Sequence, residues 1–215
     1  MIDERIERYI ESFLPPRQIE VERLEAHAKE NQIPIMDRIG IESLLLLLKL
    51  LRPKRVLEIG TAIGYSAIRI AQALPEAVVV TIERDEERFK QALTNIKALN
   101  LESRIRVLCG DALAMAKELE GERPFDVLFI DAAKGQYQRF FELYSPLVAP
   151  GGVIFSDNVL FRGLVSEETV PKRWQSLVKK IRHYNEWLMR QEGYETMILP
   201  VGDGLAVSIK NKASI

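Results

Sequence analysis

Four polar residues in the second half of the chain could bind a divalent cation and move a proton. Asp131 closes one apolar run, and Asp157 and Asn158 close another. Two carboxylates and an amide carbonyl are hard oxygen ligands, which suit Mg²⁺, Mn²⁺ or Ca²⁺ better than zinc. Lys134 follows Asp131 by three residues, and a nearby cation would favour its neutral amine, which could act as a general base. The residues alone leave open a purely structural alternative, in which the acids cap loops and the lysine is a surface side chain.

A second stretch, residues 55–73, joins an apolar run to a helical pattern through a turn with two glycines. Gly60 and Gly64 let backbone pass close to a ligand and aim helix N–H groups at its polar end. The spelling is E-x-G-x-A-x-G, with Ala62 in the middle, and it differs from the G-x-G-x-x-G of dinucleotide-binding proteins. The turn therefore predicts a nucleotide-like ligand without deciding which one.

Two further acids suit the nucleoside part of such a ligand. Glu83 lies 23 residues beyond Gly60, the separation expected of a carboxylate that accepts hydrogen bonds from two ribose hydroxyls. Asp111, followed by Ala112, could meet an adenine edge, although a helix cap would also explain Asp111. These positions suit NAD and S-adenosylmethionine about equally.

Alternating strands and helices must position these residues. Strands are predicted at 55–59, 78–83, 105–109, 127–131 and 152–157, and helices at 65–74, 86–99, 112–120 and 136–147. A long helix at 171–190 and a hairpin of 195–200 with 205–210 follow. Such alternation predicts an α/β fold with a parallel sheet, and all five strands end in an acid at the same edge.

The first 52 residues are predicted to form helices at 2–13, 17–31 and 39–51. An apolar stripe that includes Ile2 marks the first helix, and the third is apolar almost all round, which predicts that it is buried. We expect one domain over residues 1–215, with a helical cap at 1–52 on a core at 53–215. The cap would wall a ligand site or form part of a dimer contact.

The composition excludes several broad classes of protein. A net charge of −1 and a pI near 6.2 predict no bulk attraction to nucleic acid or anionic membranes, although a local basic surface is compatible with them. Cys109 is the single cysteine, which excludes a disulfide framework and fits a reducing cytosol. The charged N-terminus resembles no signal peptide, and no apolar run approaches a membrane span of about 20 residues. We expect a soluble cytoplasmic protein in which Cys109 packs on a buried strand.

Five motifs, in their order and spacing, resemble those of a known family. LEIGTAIGYSA, TIERD, GDA, IDAAKGQY and SDNVLFRG together resemble the metal-dependent O-methyltransferases of the catechol and caffeoyl-CoA type. The resemblance implies a Rossmann-like class I methyltransferase fold, with a mostly parallel seven-stranded sheet and helices on both faces. IPIMDRIGIESL, DAAKGQYQRFFELY, NVLFRGLV and YNEWLM are most similar to the bacterial branch that methylates 5-hydroxyuridine at the tRNA wobble position, giving 5-methoxyuridine.

The resemblance implies a role for each candidate residue. It implies that S-adenosylmethionine is held by Met36, Gly60, Ser66, Glu83, Gly110, Asp111, Ala112 and Asp131. It implies that Asp131, Asp157 and Asn158 bind Mg²⁺ or Mn²⁺, with Lys134 as the general base and Asp131 also taking part in catalysis. It further implies a homodimer. Residues 38–40, RIG, depart from the family's usual acid before a glycine, which leaves that wall of the acceptor site undefined.

A basic face on the predicted long helix suits an RNA acceptor. Its members are Lys172, Arg173, Lys179, Lys180, Arg182 and His183. These side chains could meet tRNA phosphates, or they could be a solvated face over a core stripe that includes Trp174. Arg162 lies nearer the predicted metal ligands and is the best candidate for a phosphate contact, with Lys172 and Arg173 as further candidates.

We therefore predict Mg²⁺-dependent methyl transfer from S-adenosylmethionine to the 5-hydroxyl of tRNA 5-hydroxyuridine. A small catechol-like acceptor is the first alternative, because catechol and 5-hydroxyuridine both present two adjacent oxygens to a metal. A nicotinamide dehydrogenase is the second, and the missing glycine fingerprint opposes it. A non-catalytic cofactor-binding protein is the third, and the presence of all four candidate catalytic residues opposes it.

Overall fold

One seven-stranded sheet forms the core of residues 4–122 and 124–212, the part of the chain that this computed structural model describes. The strands are β1 (Arg55–Ile59), β2 (Val78–Glu83), β3 (Ile105–Cys109), β4 (Phe125–Ile130), β5 (Val148–Ser156), β6 (Tyr194–Leu199) and β7 (Leu205–Lys210). Their order across the sheet is β3-β2-β1-β4-β5-β7-β6. All neighbouring strands are parallel except β7, which is antiparallel to both β5 and β6. The predicted Rossmann-like fold is confirmed.

The helices follow the predicted alternation closely. They are α1 (Glu4–Glu11), α2 (Ile19–Glu30), α3 (Arg38–Leu51), α4 (Tyr65–Ala73), α5 (Glu86–Ala98), α6 (Ala112–Met115), α7 (Tyr137–Tyr144) and α8 (Lys172–Leu188). The predicted helices at 112–120 and 136–147 are each divided, because short 3₁₀ turns follow α6 and flank α7. The first predicted helix ends earlier than expected, and its Ile2 lies outside the described residues. None of these helices is long and apolar enough to cross a membrane.

The central strands of the sheet, such as β1 and β4, bury both of their faces. Side chains alternate between the faces along a strand, so that Val56 of β1 joins one apolar cluster and Leu57 joins the other. The first cluster also includes residues of α2 to α5, and the second includes residues of α6, α7 and α8. Helices therefore cover both sides of the sheet, as parallel strands require.

Helix α3 is only partly buried, and the prediction that it is buried all round is wrong. Ile41, Leu44 and Leu48 pack in the core, whereas Leu46 is 62% exposed and Leu50 is 74% exposed. The cause is the helical period of 3.6 residues, because α3 contacts the rest of the molecule along one face only. An almost uniformly apolar sequence therefore leaves an apolar face uncovered.

The chain reverses its strand order at β1, whose neighbours are β2 on one side and β4 on the other. The carboxyl ends of β1 and β4 approach closely at this point. A Cβ atom built on Gly60 would lie 2.0 Å from the backbone oxygen of Asp131, and Gly60 has φ of +104°. Both facts require glycine here. In parallel sheets, such a reversal opens the crevice in which ligands bind.

Candidate active site

A cleft of about 670 Å³ opens at the carboxyl ends of the parallel strands. Its walls contain every residue that was predicted to bind the cofactor or the metal, together with Lys134 and Arg162. Lys172 and Arg173 are exposed at the start of α8 and do not line it. The structure thus brings into one cleft side chains that are far apart in the sequence.

Glu83 and Ser66 form the polar floor of the part of the cleft next to Gly60. Glu83 is buried, and its two carboxylate oxygens accept hydrogen bonds from the backbone N–H groups of Ala62 (2.7 Å) and Asp85 (2.9 Å). The carboxylate is therefore held in place and keeps lone pairs for further donors such as hydroxyl groups. The hydroxyl of Ser66 donates to Glu58 at 2.5 Å.

Glu58 differs from the other acids at the strand ends, because it lies beneath the cleft and does not line it. Its carboxylate is fully buried and accepts hydrogen bonds from the hydroxyls of Ser66 and Thr81, each at 2.5 Å. Burial raises the pKa of Glu58 to about 7, although these two hydrogen bonds act in the opposite direction. The expectation that all five strands deliver an acid to the cleft is therefore wrong for β1, and Glu58 supports the floor from below.

The far end of the cleft is formed by Gly110, Asp111 and Ala112. Asp111 caps α6 by accepting from the N–H of Leu113 at 2.9 Å, so the capping role and a position on the cleft wall coexist. A Cβ atom on Gly110 would lie 2.4 Å from the sulfur of Met115, a flexible side chain. Met36 is buried and reaches the cleft from the segment before α3, as predicted.

Lys134 and the three predicted metal ligands meet at the ends of β4 and β5. The ammonium of Lys134 donates to Oδ1 of Asn158 at 2.6 Å. Oδ1 of Asp157 accepts from the N–H of Asn158 at 2.7 Å, and Oδ2 of Asp157 is buried without a hydrogen-bond partner in the described part of the chain. Within that part, no three His, Cys, Asp or Glu side chains form a metal-binding cluster, and the third candidate ligand here is an amide.

The electrostatics of these residues favour the binding of a cation. Burial raises the pKa of Asp131, and the charge of Lys134 opposes this rise. Burial also raises the pKa of Asp157 well above its usual value, and repulsion from Asp131 adds to the effect. Two buried carboxylates that repel each other, one of them with an unpartnered oxygen, are stabilised when a cation binds between them.

Asp203 is a wall residue that sequence reasoning missed. Its side chain lines the cleft, and Oδ1 accepts a hydrogen bond from the backbone N–H of Arg162. Its backbone oxygen accepts from Leu160 at 3.0 Å, and that of Gly204 accepts from Val159 at 3.0 Å. The β6–β7 turn therefore holds the loop that follows Asn158. The signal in the sequence is the G-D-G at residues 202–204, which by itself predicts only a hairpin turn.

Residues 34–36 form the wall on the side that the sequence left undefined, and Asp37 follows them without lining the cleft itself. Asp37 caps α3 by accepting from the N–H of Gly40 at 2.8 Å, and its other carboxylate oxygen lies against Gly202 of the β6–β7 turn. Arg38 turns away from the cleft and donates to the backbone oxygen of Pro15 at 3.2 Å. An acidic residue therefore lies on this side, although the sequence at residues 38–40 departs from the family's usual pattern.

Two further expectations about single residues are wrong. Arg182 does not belong to an exposed basic face, because its guanidinium donates to backbone oxygens of the loop before α8, including Val165 at 2.9 Å. Cys109 is exposed, because β3 lies at the edge of the sheet and Cys109 is its last residue. Trp174 and Trp187 are half-buried against apolar clusters, in agreement with a packing role.

Comparison with known proteins places this chain in a family. The sequence pattern of the family described as O-methyltransferase matches residues 17–211. The chain belongs to the O-methyltransferase family. A catechol O-methyltransferase of Niastella koreensis is 36% identical over 172 residues, which are 76% of this chain and 76% of that protein. A caffeoyl-CoA O-methyltransferase of Populus kitakamiensis is 33% identical over 75% of this chain and 72% of that protein.

Solved structures of other O-methyltransferases share the fold over nearly the whole chain. A Staphylococcus aureus protein, solved as a proposed caffeoyl-CoA O-methyltransferase, has a TM-score of 0.90 and 37% identity, and covers 97% of this chain and 100% of its own. An O-methyltransferase from Bacillus cereus in complex with SAH has a TM-score of 0.83 and 30% identity, over 96% and 97%. This chain is therefore a SAM-dependent O-methyltransferase, and a nicotinamide dehydrogenase is excluded.

Proposed function

We propose that this O-methyltransferase requires Mg²⁺ and methylates an acceptor with two adjacent oxygens. The observation that carries the proposal is the meeting of Asp131, Asp157, Asn158 and Lys134 beside the cleft that contains Glu83. The donor set fits the ion, because the oxygens are hard ligands and Oδ2 of Asp157 has no protein partner in the described residues. Mn²⁺ would satisfy the same ligands.

The cleft also fits S-adenosylmethionine, which supplies an electrophilic methyl group on its sulfonium. Glu83 keeps lone pairs for the two ribose hydroxyls, and Asp111 and Ala112 stand at the adenine end. Gly60 lines the cleft where the methionine part would lie, and its missing side chain lets the ends of β1 and β4 close onto each other beside it. Met36 covers this part of the cleft from the N-terminal side.

The protein's own residues can prepare the acceptor for in-line attack. The chemistry that Mg²⁺ supplies in such a site is stabilisation of negative charge on an oxygen that loses its proton. Lys134 is held by Asn158 at 2.6 Å, within reach of a hydroxyl group presented to the same ligands, and its amine would take the proton. Phe161 and Phe140 line the cleft and limit the access of water.

For the acceptor, we propose the 5-hydroxyl of 5-hydroxyuridine at the tRNA wobble position. Support comes from the motifs at residues 33–44, 131–144 and 158–165, which are most similar to the tRNA-modifying branch. The exposed Arg162 lines the cleft, and the exposed Lys172 and Arg173 lie at the start of α8, where Arg173 contacts the same Trp174 ring as Arg162. With an acceptor of this kind, a cytoplasmic location follows as part of the proposal.

A catechol-like small molecule is the second candidate acceptor, because the relatives from Niastella koreensis and Populus kitakamiensis are named for catechol and caffeoyl-CoA. Methyl transfer from labelled S-adenosylmethionine, with Mg²⁺, to tRNA carrying 5-hydroxyuridine and to catechol in parallel distinguishes the two. Labelling of the tRNA that EDTA abolishes supports the proposal. Labelling of catechol alone overturns the RNA assignment, and full activity in excess EDTA overturns the requirement for a metal.

We also propose that the protein forms a homodimer through α1 and α3. Helix α1 packs beside α3 and has no buried residue, and Tyr9 and Phe13 are exposed with ring centroids 4.9 Å apart. Leu46 and Leu50, four residues apart on α3, are exposed as well. Large exposed apolar side chains on neighbouring helices favour an interface with a second copy of the chain. Sedimentation equilibrium should give a dimer for the wild type and a monomer for the double variant L46K/L50K.

A further inference from the structure

Two arginine side chains lie against the ring of Trp174. Cζ of Arg173 is 5.3 Å from the centroid of the indole ring, and Cζ of Arg162 is 6.0 Å from it. Phe161 packs edge-on against the same ring, with centroids 5.3 Å apart. Arg162 belongs to the loop after β5, and Arg173 belongs to α8, so two separate elements bring their guanidinium groups to one aromatic side chain. Attraction between a cation and an aromatic ring holds each of them there.

The two arginines are exposed and are not held in ion pairs. Neither forms one within residues 4–122 and 124–212, although the Asp203 carboxylate interacts electrostatically with Arg162. Arg17, Arg55 and Arg69, in contrast, each pair with a glutamate. The first turn of α8 contains no acidic residue. The planar donors of a guanidinium group match the geometry of phosphate, and a bound anion would offset the positive charge that the two arginines bring to this side chain.

An anion bound by Arg162 and Arg173 would lie at the rim of the cleft, apart from the reacting atoms in the interior. Arg162 lines the cleft four residues after Asn158, and the Asp203 side chain holds its backbone. The interior of the cleft carries Asp131 and Asp157, which repel anions. An acceptor that places neutral oxygens in the interior and a phosphate at the rim would satisfy both environments.

We propose that Arg162 and Arg173, held against the ring of Trp174, bind a phosphate group of the methyl acceptor. The inference deepens the proposed function, on which it rests for the position of the acceptor. The phosphate belongs either to the backbone of an RNA acceptor or to coenzyme A attached to a small acceptor. Both sources present the same oxygens to the guanidinium groups, and the experiment below distinguishes them.

Binding can be measured without methyl transfer. The probe is a fluorescein-labelled anticodon stem-loop with ordinary uridine at the wobble position, and the full chain is saturated with SAH. Fluorescence anisotropy should show that Arg162→Ala and Arg173→Ala each weaken binding by about three- to ten-fold. Each should also reduce the slope of log K against log salt by about one, because one phosphate contact is lost. The lysine variants R162K and R173K should keep part of the affinity.

Arg190→Ala is the matched control. Arg190 is exposed beyond the other end of α8, roughly 25 Å from Arg173 at 1.5 Å per residue, so the same charge is removed away from Trp174. This variant should bind the probe as the wild type does. Thermal melting of all the variants confirms that differences in binding do not come from unfolding.

A second arm measures coenzyme A by isothermal titration calorimetry. If the wild type binds coenzyme A and not the stem-loop, and Arg162→Ala and Arg173→Ala weaken that binding, the phosphate comes from an acyl carrier. The proposal is overturned if Arg162→Ala and Arg173→Ala bind as the control does, or if the wild type binds neither probe. Methylation of tRNA by the wild type is scored separately. If Arg162→Ala and Arg173→Ala bind the stem-loop as the wild type does, and the wild type methylates tRNA, only the phosphate site is rejected. If the two variants bind the stem-loop more weakly, and the wild type does not methylate tRNA, only the proposed acceptor is rejected.

Discussion

The ammonium group of Lys134 donates a 2.6 Å hydrogen bond to Oδ1 of Asn158, linking the loop after β4 to the loop after β5. This contact joins the candidate base to a candidate metal ligand. It places the amine beside the oxygens that would hold the acceptor, and it explains why a lysine in a surface loop has a defined position.

Lys134→Met should lower kcat by about 10²-fold or more, because removal of a positioned base typically costs 10²- to 10⁴-fold. Binding of S-adenosylmethionine should change little, since Lys134 contacts the acceptor side. Initial rates of methyl transfer and calorimetric titration with the cofactor measure the two effects. Lys97→Met, an exposed lysine on α5, is the matched control. Equal kcat in both variants would reject Lys134 as the base.

Asp157→Asn should abolish turnover and yet stabilise the metal-free protein. The substitution removes one of two buried carboxylates that repel each other, and it keeps the shape of the side chain. In EDTA, the Tm of the variant should be a few degrees above that of the wild type. A gain of about 1 kcal/mol in the free energy of unfolding produces a shift of this size in a chain of this length. Mg²⁺ should raise Tm of the wild type and leave the variant unchanged. The metal site is contradicted if the variant has a lower Tm than the wild type in EDTA. It is also contradicted if Mg²⁺ raises the Tm of the variant as much as that of the wild type.

Glu58→Gln should stabilise the protein at pH 8 and have little effect near pH 5. Burial raises the pKa of Glu58 to about 7 in the folded state, above its ordinary value of 4.5. The folded state therefore binds the proton more tightly, and the stability that this contributes is lost as the pH rises from about 4.5 through 7. Glutamine avoids burial of the charge, and the expected gain at pH 8 is roughly 1–3 kcal/mol. Urea unfolding of both proteins at several pH values tests this, and a difference independent of pH rejects it.

Gly60→Ala should destabilise the protein and abolish cofactor binding. The new Cβ would meet the backbone oxygen of Asp131 at 2.0 Å, and φ of +104° is unfavourable for alanine. The two strand ends would have to separate, at an expected cost of about 3 kcal/mol or more. Gly193→Ala is the control, because a Cβ there meets nothing within 4 Å. Thermal melting and a cofactor titration of both variants provide the measurement, and equal behaviour of the two contradicts the close approach.

Residues with a role that depends on local pattern could be predicted from the sequence. The strands and helices follow from apolar periodicity, and Gly60, Glu83, Asp131, Asp157 and Asn158 follow from their position at strand ends, where parallel sheets bind ligands. Asp203 and Asp37 could not be found in this way. Asp203 reaches the cleft from a hairpin turn, and Asp37 lies against that turn from a helix cap. Nothing in their neighbours in the sequence indicates that these elements meet.

The burial and the hydrogen-bond partners of individual side chains could not be predicted from the sequence pattern either. Arg182 lies close to the exposed lysines of α8 in the sequence. Its guanidinium nevertheless donates hydrogen bonds to the carbonyl groups of a loop. Glu58 stands at a strand end like Glu83 and Asp131, yet its side chain points beneath the cleft to Ser66 and Thr81. Each outcome depends on which face of an element meets another element.

The sequence by itself determined the order of strands and helices, the family resemblance and the set of acids at the sheet edge, because these depend on residue type and spacing along the chain. The tertiary structure alone decided which acids share the cleft, that Lys134 bonds to Asn158, and that Arg162 and Arg173 share the ring of Trp174. These contacts join residues from different elements. Their distances are set by packing of the sheet, the loops and α8 against one another, which no local pattern encodes.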